Sequence, residues 1–266
     1  MYLRGSNLRV GQVVELSPDQ TRYLVSVMRL REGDPVRVFD GVNGEFLAAV
    51  CGVQDGSMEL RVECLTRPQP IVDDGGGQGE HVPDVELIFT PIRKQRLKML
   101  VEKAVEVGAS RLTPVVTART QKNAVADASA LSKLGIVTAV EAAEQCERMT
   151  VPPVGATPVA LEYLFQDGGV FDEDGKRVFL DTVFVCKERD VNAPPLLDAL
   201  AEYARATGRD AFRSGSAAFL VGPEGGFDPD EINFMAAFPF VRFVCLGPTV
   251  LRAETAVVYA LSTWSA

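Results

Sequence analysis

Short β-type runs alternate with turn residues over the first seventy positions. Gln12–Leu16, Pro35–Phe39, Phe46–Val53 and Met58–Leu65 predict strands. Asp40-Gly41-Val42-Asn43-Gly44 and Gln54-Asp55-Gly56-Ser57 supply residues that tolerate the positive φ of hairpin turns. Between the early strands, Leu24, Val27 and Met28 recur at helical spacing and predict one short helix over Pro18–Leu30. The pattern is that of a small β-barrel carrying a single helix.

Residues 71–83 have no apolar periodicity and four glycines, which predicts a flexible linker and a domain boundary. They are not preceded by a buried strand or followed by Lys-Ser or Lys-Thr, so a phosphate loop is excluded. Beyond them the period changes. Val85–Phe89 predicts a strand, and Leu97, Leu100, Val101, Ala104 and Val107 form the apolar stripe of a helix that Gly108 stops. Leu112–Val116 is the next strand and Thr117–Lys122 a polar loop. A second long helix is predicted over Ala128–Met149, with Leu131, Leu134, Val137 and Thr138 inward and Pro152-Pro153 preventing continuation. Val178–Leu180 and Thr182–Cys186 suggest strands, Pro195–Thr207 a helix, and Asp167–Gly175 an acidic surface hairpin or insertion. Strands alternating with helices predict an α/β domain with a parallel sheet over residues 84–266.

Near the C-terminus two glycine-centred loops each follow a buried-strand pattern. Gly222-Pro223-Glu224-Gly225-Gly226-Phe227 follows Ala217–Val221, and Gly247-Pro248-Thr249-Val250-Leu251-Arg252 follows Val241–Leu246. Asp228, Pro229 and Glu231 make a strong helix start after the first loop: a cap, a proline at the first helical position, and a capping-box carboxylate. Loops at the carboxyl ends of neighbouring parallel strands converge on a ligand crevice, so the two are expected to form one site.

Composition narrows the chemistry. No apolar run approaches a bilayer span and no targeting segment opens the sequence, which predicts a soluble cytoplasmic protein, or an organelle-matrix protein if a leader has been removed. Five scattered cysteines without a C-x-x-C pair are expected to be buried free thiols rather than a zinc site or disulfide framework. The single histidine, His81, lies in the Gly-rich stretch, which leaves no basis for a His-based metal cluster. The net charge of −9 opposes nucleic-acid binding by the chain as a whole. Its distribution weakens that objection: residues 84–150 carry 10 basic and 8 acidic groups, whereas 151–266 carry 9 and 16. Arg22, Arg29, Arg31 and Arg37 cluster around the first helix, as solvated arginines or as phosphate contacts. Arg93, Lys94, Arg96 and Lys98 crowd a helix N-terminus, where cations oppose the macrodipole, so an anionic partner competes with a merely solvated face.

A set of motifs in order gives these parts an identity. Leu30-Arg31-Glu32-Gly33-Asp34 leads to Phe39-Asp40-Gly41. Lys103 with Glu106-Val107-Gly108 follows, then Glu144-Gln145-Cys146 with Arg148, Gly222–Gly226, and Leu246-Gly247-Pro248 with Val250-Leu251-Arg252 and Glu254-Thr255. Together, across nearly the whole chain, they resemble the ribosomal small-subunit methyltransferase E family of the SPOUT class. The resemblance implies a PUA-like barrel, a SPOUT domain with a trefoil knot, a homodimer, and methylation of N3 of one uridine in 16S ribosomal RNA from S-adenosylmethionine. It implies a cofactor cradle of Val221, Gly222, Gly225, Gly226, Leu246, Gly247, Leu251 and Thr255. RNA contacts are expected from Arg22, Arg29, Arg31, Arg93, Lys94, Arg96 and Arg148. Uridine N3 must lose a proton before it attacks a methyl group, so a base and a cation are needed. Arg252 is the candidate for stabilising the uracil, and Glu224 or Glu254 for taking the proton. Thr249 and Arg22-Tyr23 depart from residues common in the family, an arginine and a histidine pair, and the first removes one cation from the expected RNA face. Ribose 2′-O-methylation, or RNA binding without turnover, are the rival readings.

Overall fold

The computed structural model describes residues 1–54, 57–70, 84–122, 128–165, 170–171, 177–178, 182–188, 190, 192–207 and 216–265. The expected linker 71–83 with His81, the turn at 55–56, residues 179–180 and most of the acidic stretch 167–175 lie outside them. Two compact units are present, Met1–Pro70 with Ala143–Val151, and Ile71–Ala142 with Pro152–Ala266.

In the first unit, β1 (Val13–Glu15), β2 (Pro35–Phe39), β3 (Glu45–Gln54) and β4 (Ser57–Arg67) form an antiparallel sheet in the order β1-β4-β3-β2. The N-terminal residues extend it, with Leu3 N–H donating to Phe39 O at 2.8 Å. Register shifts at Glu45/Phe46, Leu47/Ala48 and Val50/Gly52 bend β3 against β4, as extra residues in one strand do. Alternate residues Val36, Val38, Ala48, Val50, Leu60 and Val62 fill the core. The expected helix is shorter and of two kinds: α1 (Pro18–Arg22), opened by a Ser17/Gln20 capping box, passes into a π-helical turn, Tyr23–Val27. Leu24 is buried, but Val27 and Met28 are exposed, contrary to the apolar stripe expected there. The wider π turn rotates them off the 3.6-residue face. Arg29 at φ 57° ends the turn, and Leu30 N–H donates to Leu24 O at 3.0 Å.

The second unit is built on a six-stranded sheet of β5 (Asp84–Phe89), β6 (Arg111–Val116), β7 (Val159–Ala160), β10 (Thr182–Cys186), β11 (Ser216–Val221) and β12 (Val241–Val244), in the order β12-β10-β11-β5-β6-β7. Every pairing is parallel. A short hairpin, β8 (Val170–Phe171) and β9 (Arg177–Val178), stands apart. The helices are α2 (Lys94–Glu106), α3 (Ala128–Gln145), α4 (Leu161–Leu164), α5 (Leu196–Thr207), α6 (Pro229–Ala236) and α7 (Ala253–Ser265). Successive strand residues serve opposite faces. Val183, Val185, Ala218 and Leu220 pack with Leu161, Phe165, Phe227 and Met235, while Phe184 and Phe219 meet Trp264 of α7 at ring-centroid distances of 6.5 and 6.1 Å.

Further expectations are corrected. The second long helix ends at Gln145 rather than Met149, because Glu147 takes φ 56° and Arg148 N–H caps Ala143 O at 2.9 Å. Among the side chains described, the inward face is Gly135, Thr138, Ala139 and Ala142; Thr138 is inward as expected, but Leu134 is only partly buried and Val137 is exposed, and small residues allow close packing there. β12 stops at Val244. There Lys187 N–H donates to Val244 O at 2.9 Å, Cys245 N–H to Pro194 O at 2.9 Å, and Leu196 N–H to Cys245 O at 3.0 Å. Lys187, Pro194 and Leu196 thus flank the chain as it leaves β12, a connection that fits a trefoil knot. The five cysteines are free, but none is in the buried class expected of them: Cys64 and Cys146 are exposed, and Cys51, Cys186 and Cys245 are partly exposed. No described helix is long and apolar enough to cross a membrane.

Candidate functional site

The carboxyl ends of β6, β10, β11 and β12 lie along one edge of the parallel sheet, and the loops leaving them enclose a cavity of about 580 Å³. That size suits a small organic ligand. The first wall is the loop after β11. A turn closes it, with Gly226 N–H donating to Pro223 O at 2.9 Å and Gly226 at φ 68°. Gly222 packs closely against Phe227: a Cβ there would sit 2.8 Å from the ring. The expected capping box is present. Asp228 caps α6, and Glu231 Oε2 accepts the Asp228 N–H at 2.8 Å.

Glu231 does more than cap. It is buried, and its Oε1 accepts the Ala118 N–H at 2.6 Å, joining the loop after β6 to the loop after β11. Next to it Arg119 donates from Nη1 to Gly225 O at 2.9 Å and pairs through Nη2 with Asp228 Oδ2 at 3.3 Å. The second wall is the loop after β12, where Gly247 takes φ 132° and its N–H donates to Cys245 Sγ at 3.4 Å. The loop after β10 contributes Lys187, Glu188 and Asp190; Lys187 Nζ is 2.8 Å from Asp190 Oδ2. Cys186 lines the cavity as well, and desolvation pushes its thiol up to about 12, so it stays neutral.

Of the expected site residues, Val221, Gly222, Glu224, Gly225, Gly226, Leu246, Gly247, Leu251 and Arg252 all line this cavity. Glu254 and Thr255 are not among its lining residues; they stand in the first turn of α7, Glu254 buried and Thr255 exposed. Arg252 is exposed and has no ion-pair partner among the described residues. Arg96 is engaged by carboxylates: Nη2 is 2.5 Å from Glu224 Oε1, and Nη1 is 4.0 Å from Glu254 Oε2. Arg93 and Lys94 are exposed at the start of α2. Arg22, Arg29, Arg31 and Arg148 belong to the other unit. Arg22 pairs with Asp19 at 2.9 Å. Arg148 is half-buried and donates from Nε to Thr150 Oγ1 at 2.7 Å, and burial pulls its guanidinium down to about 10.

Arg119 and Lys187–Asp190 were not expected. Their signal was positional: each follows a buried strand of the same parallel sheet as the glycine loops. The cavity has Arg119, Lys187 and Arg252 against Glu188, Asp190 and Glu224, so it favours a ligand with charges of both signs. Val221, Ile232, Leu246 and Leu251 add an apolar surface for a flat ring. Among the described residues no group of three or more His, Cys, Asp or Glu could hold a metal ion.

Comparison with known proteins gives consistent results. Residues 80–265 match the model of an RNA methyltransferase domain, and residues 16–63 that of an RNA methyltransferase PUA domain. Proteins named ribosomal RNA small subunit methyltransferase E are similar over 73–91% of their own length. The one from Rickettsia conorii is 25% identical over 97% of this chain and 91% of its own, and that from Bacillus subtilis 27% identical over 94% and 88%. Among solved structures, the Neisseria gonorrhoeae protein of that name, bound to S-adenosyl methionine, aligns with a TM-score of 0.69 at 25% identity, covering 98% of this chain and 93% of its own. The Legionella pneumophila methyltransferase Lpg2936, at 24% identity and TM-score 0.74, covers 99% and 95% and shares the fold.

Proposed function

The chain belongs to the RNA methyltransferase family, and from that premise we propose that it transfers a methyl group from S-adenosylmethionine to N3 of a uridine in small-subunit ribosomal RNA. The observation that carries this reading is a single cavity bounded by both glycine loops, with an exposed Arg252 free of ion pairs among the described residues. The residues fit the cofactor. Val221, Leu246 and Leu251 suit an adenine ring, the backbone of Gly222, Gly225, Gly226 and Gly247 suits close approach, and the mixed charges suit a zwitterionic amino acid. When bound, S-adenosylmethionine supplies an electrophilic methyl group on a sulfonium.

The chain's own groups handle the base. Uridine N3 is protonated and paired in a duplex, so the nucleotide is unstacked before reaction. Arg252 stabilises the negative charge that develops on the uracil. Glu224 lines the cavity and Glu254 does not, which favours Glu224 as the proton acceptor. Exposed Arg93 and Lys94 contact phosphate, as do Arg22, Arg29 and Arg31 of a PUA-like unit joined to the methyltransferase domain through residues 71–83. The protein works as a cytoplasmic homodimer.

The test is methylation of small ribosomal subunits lacking the modification, using labelled cofactor and nucleoside mass spectrometry. Label in 3-methyluridine is the expected result. Label confined to 2′-O-methyl nucleosides, or a protein that does not bind the cofactor, would overturn the reading.

A further inference from the structure

Arg96 was expected among the RNA contacts, and the structure sets its guanidinium against two carboxylates. It projects from the first turn of α2, whose apolar face (Leu97, Leu100, Val101, Ala104) is buried. α2 and α7 run alongside each other: Arg96 meets Glu254 at their N-terminal ends, and Ser265 Oγ donates to Val107 O at 3.2 Å at their C-terminal ends. The guanidinium reaches Glu224 of the first glycine loop and Glu254 of the turn that follows the second. Glu254 is 8% exposed, and its Oε2 has no hydrogen-bond partner among the described residues. Arg96 is therefore the cation that compensates a buried carboxylate, and removing one member of such an arrangement is costly.

We propose that Arg96 is a positioning residue: it clamps Glu224 to Glu254 and so fixes the spacing of the two glycine loops that cradle the cofactor. A planar fork can address two carboxylates at once, which a lysine ammonium on a flexible stem does less well. The clamp also holds Glu224 at the cavity wall while leaving Arg252 free toward the substrate. The cofactor part of this inference rests on the function proposed above; the clamp itself is testable without a ligand.

Arg96→Gln, Glu224→Gln and the double variant form a mutant cycle. In the free protein, amide hydrogen exchange is expected to rise in both 222–227 and 247–255 for Arg96→Gln. Calorimetric titration with S-adenosylmethionine is expected to show affinity weakened on the order of tenfold in each single variant, with the double variant little worse than either. Arg96→Lys is expected to recover part of the loss. Unchanged exchange in either loop, or single-variant losses that simply multiply, would overturn the clamp. So would intact cofactor affinity with weakened RNA binding and a salt dependence reduced by about one ion, the signature of a phosphate contact. Loosened loops together with a wild-type protein that binds no cofactor would sink the proposed function and the cofactor role of Arg96, while the clamp between the loops would stand.

Discussion

Replacing Gly222 by alanine tests the first wall of the cavity with a single methyl group. An added Cβ would lie 2.8, 2.9 and 3.2 Å from Cζ, Cε2 and Cε1 of Phe227. Comfortable carbon contacts begin near 3.5 Å, so the ring or the loop must retreat by about 0.7 Å. The ring has little freedom to do so. Phe227 is 7% exposed and belongs to the core cluster that includes Leu220, Val185 and Met235. Overpacking of this kind costs about 2 kcal/mol, which for a domain of this size lowers Tm by about 4–8 °C. The displaced loop carries Gly225 and Gly226, so cofactor affinity is expected to fall with stability. Scanning calorimetry and isothermal titration with S-adenosylmethionine measure the two effects. Phe227→Leu in the Gly222→Ala background removes the obstructing ring edge and is expected to restore part of the affinity. A Gly222→Ala protein that melts and binds like the wild type would refute the close-approach reasoning, as would a second substitution that deepens both losses.

Arg252→Ala is expected to retain cofactor affinity and lose turnover, as compared by titration and single-turnover methylation; equal loss of both would make Arg252 structural. Glu231→Gln turns one of two carboxylate oxygens, each accepting a backbone N–H, into a donor, so stability should drop by about 1–3 kcal/mol in thermal denaturation, with faster amide exchange at Ala118 or Asp228. Acid should weaken the N-terminal unit. Burial alone would raise the Asp40 and Glu45 carboxyls, but hydrogen bonds from Asn43, Leu8 and Val42 to Asp40, and from Arg67 and Thr66 to Glu45, bring both below the ordinary range. A carboxyl lowered by folding contributes stability that is full above about pH 4 and fades as pH falls through its folded value. Asp40→Asn should therefore be less stable than wild type at pH 7, and the gap in melting temperature should narrow by pH 3; a constant gap would refute the assignment.

Local signals were legible where the physics is local. Asp228, Pro229 and Glu231 announced the start of α6, and the apolar runs before each glycine loop announced β11 and β12. The π turn at Tyr23–Val27 was not legible, because Val27 and Met28 fit an α-helical stripe equally well on paper. Nor was the small-residue face of α3, where Gly135, Ala139 and Ala142 carry too little apolar weight to mark a core. Strand order is non-local. β10 lies between β12 and β11, and nothing in Thr182–Cys186 says that the loop after it would supply Lys187, Glu188 and Asp190 to the cavity. Arg119 and Arg96 were visible as cations, but their partners, Asp228, Glu224 and Glu254, are more than a hundred residues away.

The strand exit held between Lys187 and Leu196 sets an order of assembly. Proteins form on the ribosome from the N-terminus, so residues 187–196 emerge well before Cys245 and must wait for it. Only when the last strand and its loop have been made can Cys245 exchange hydrogen bonds with Pro194 and Leu196 and α7 settle against α2. The second wall of the cavity is thus the last part of the molecule to mature. A chain halted before that point would have its sheet largely built and yet lack the second wall of the pocket, which makes ligand capture a report on the completed C-terminal segment rather than on folding in general.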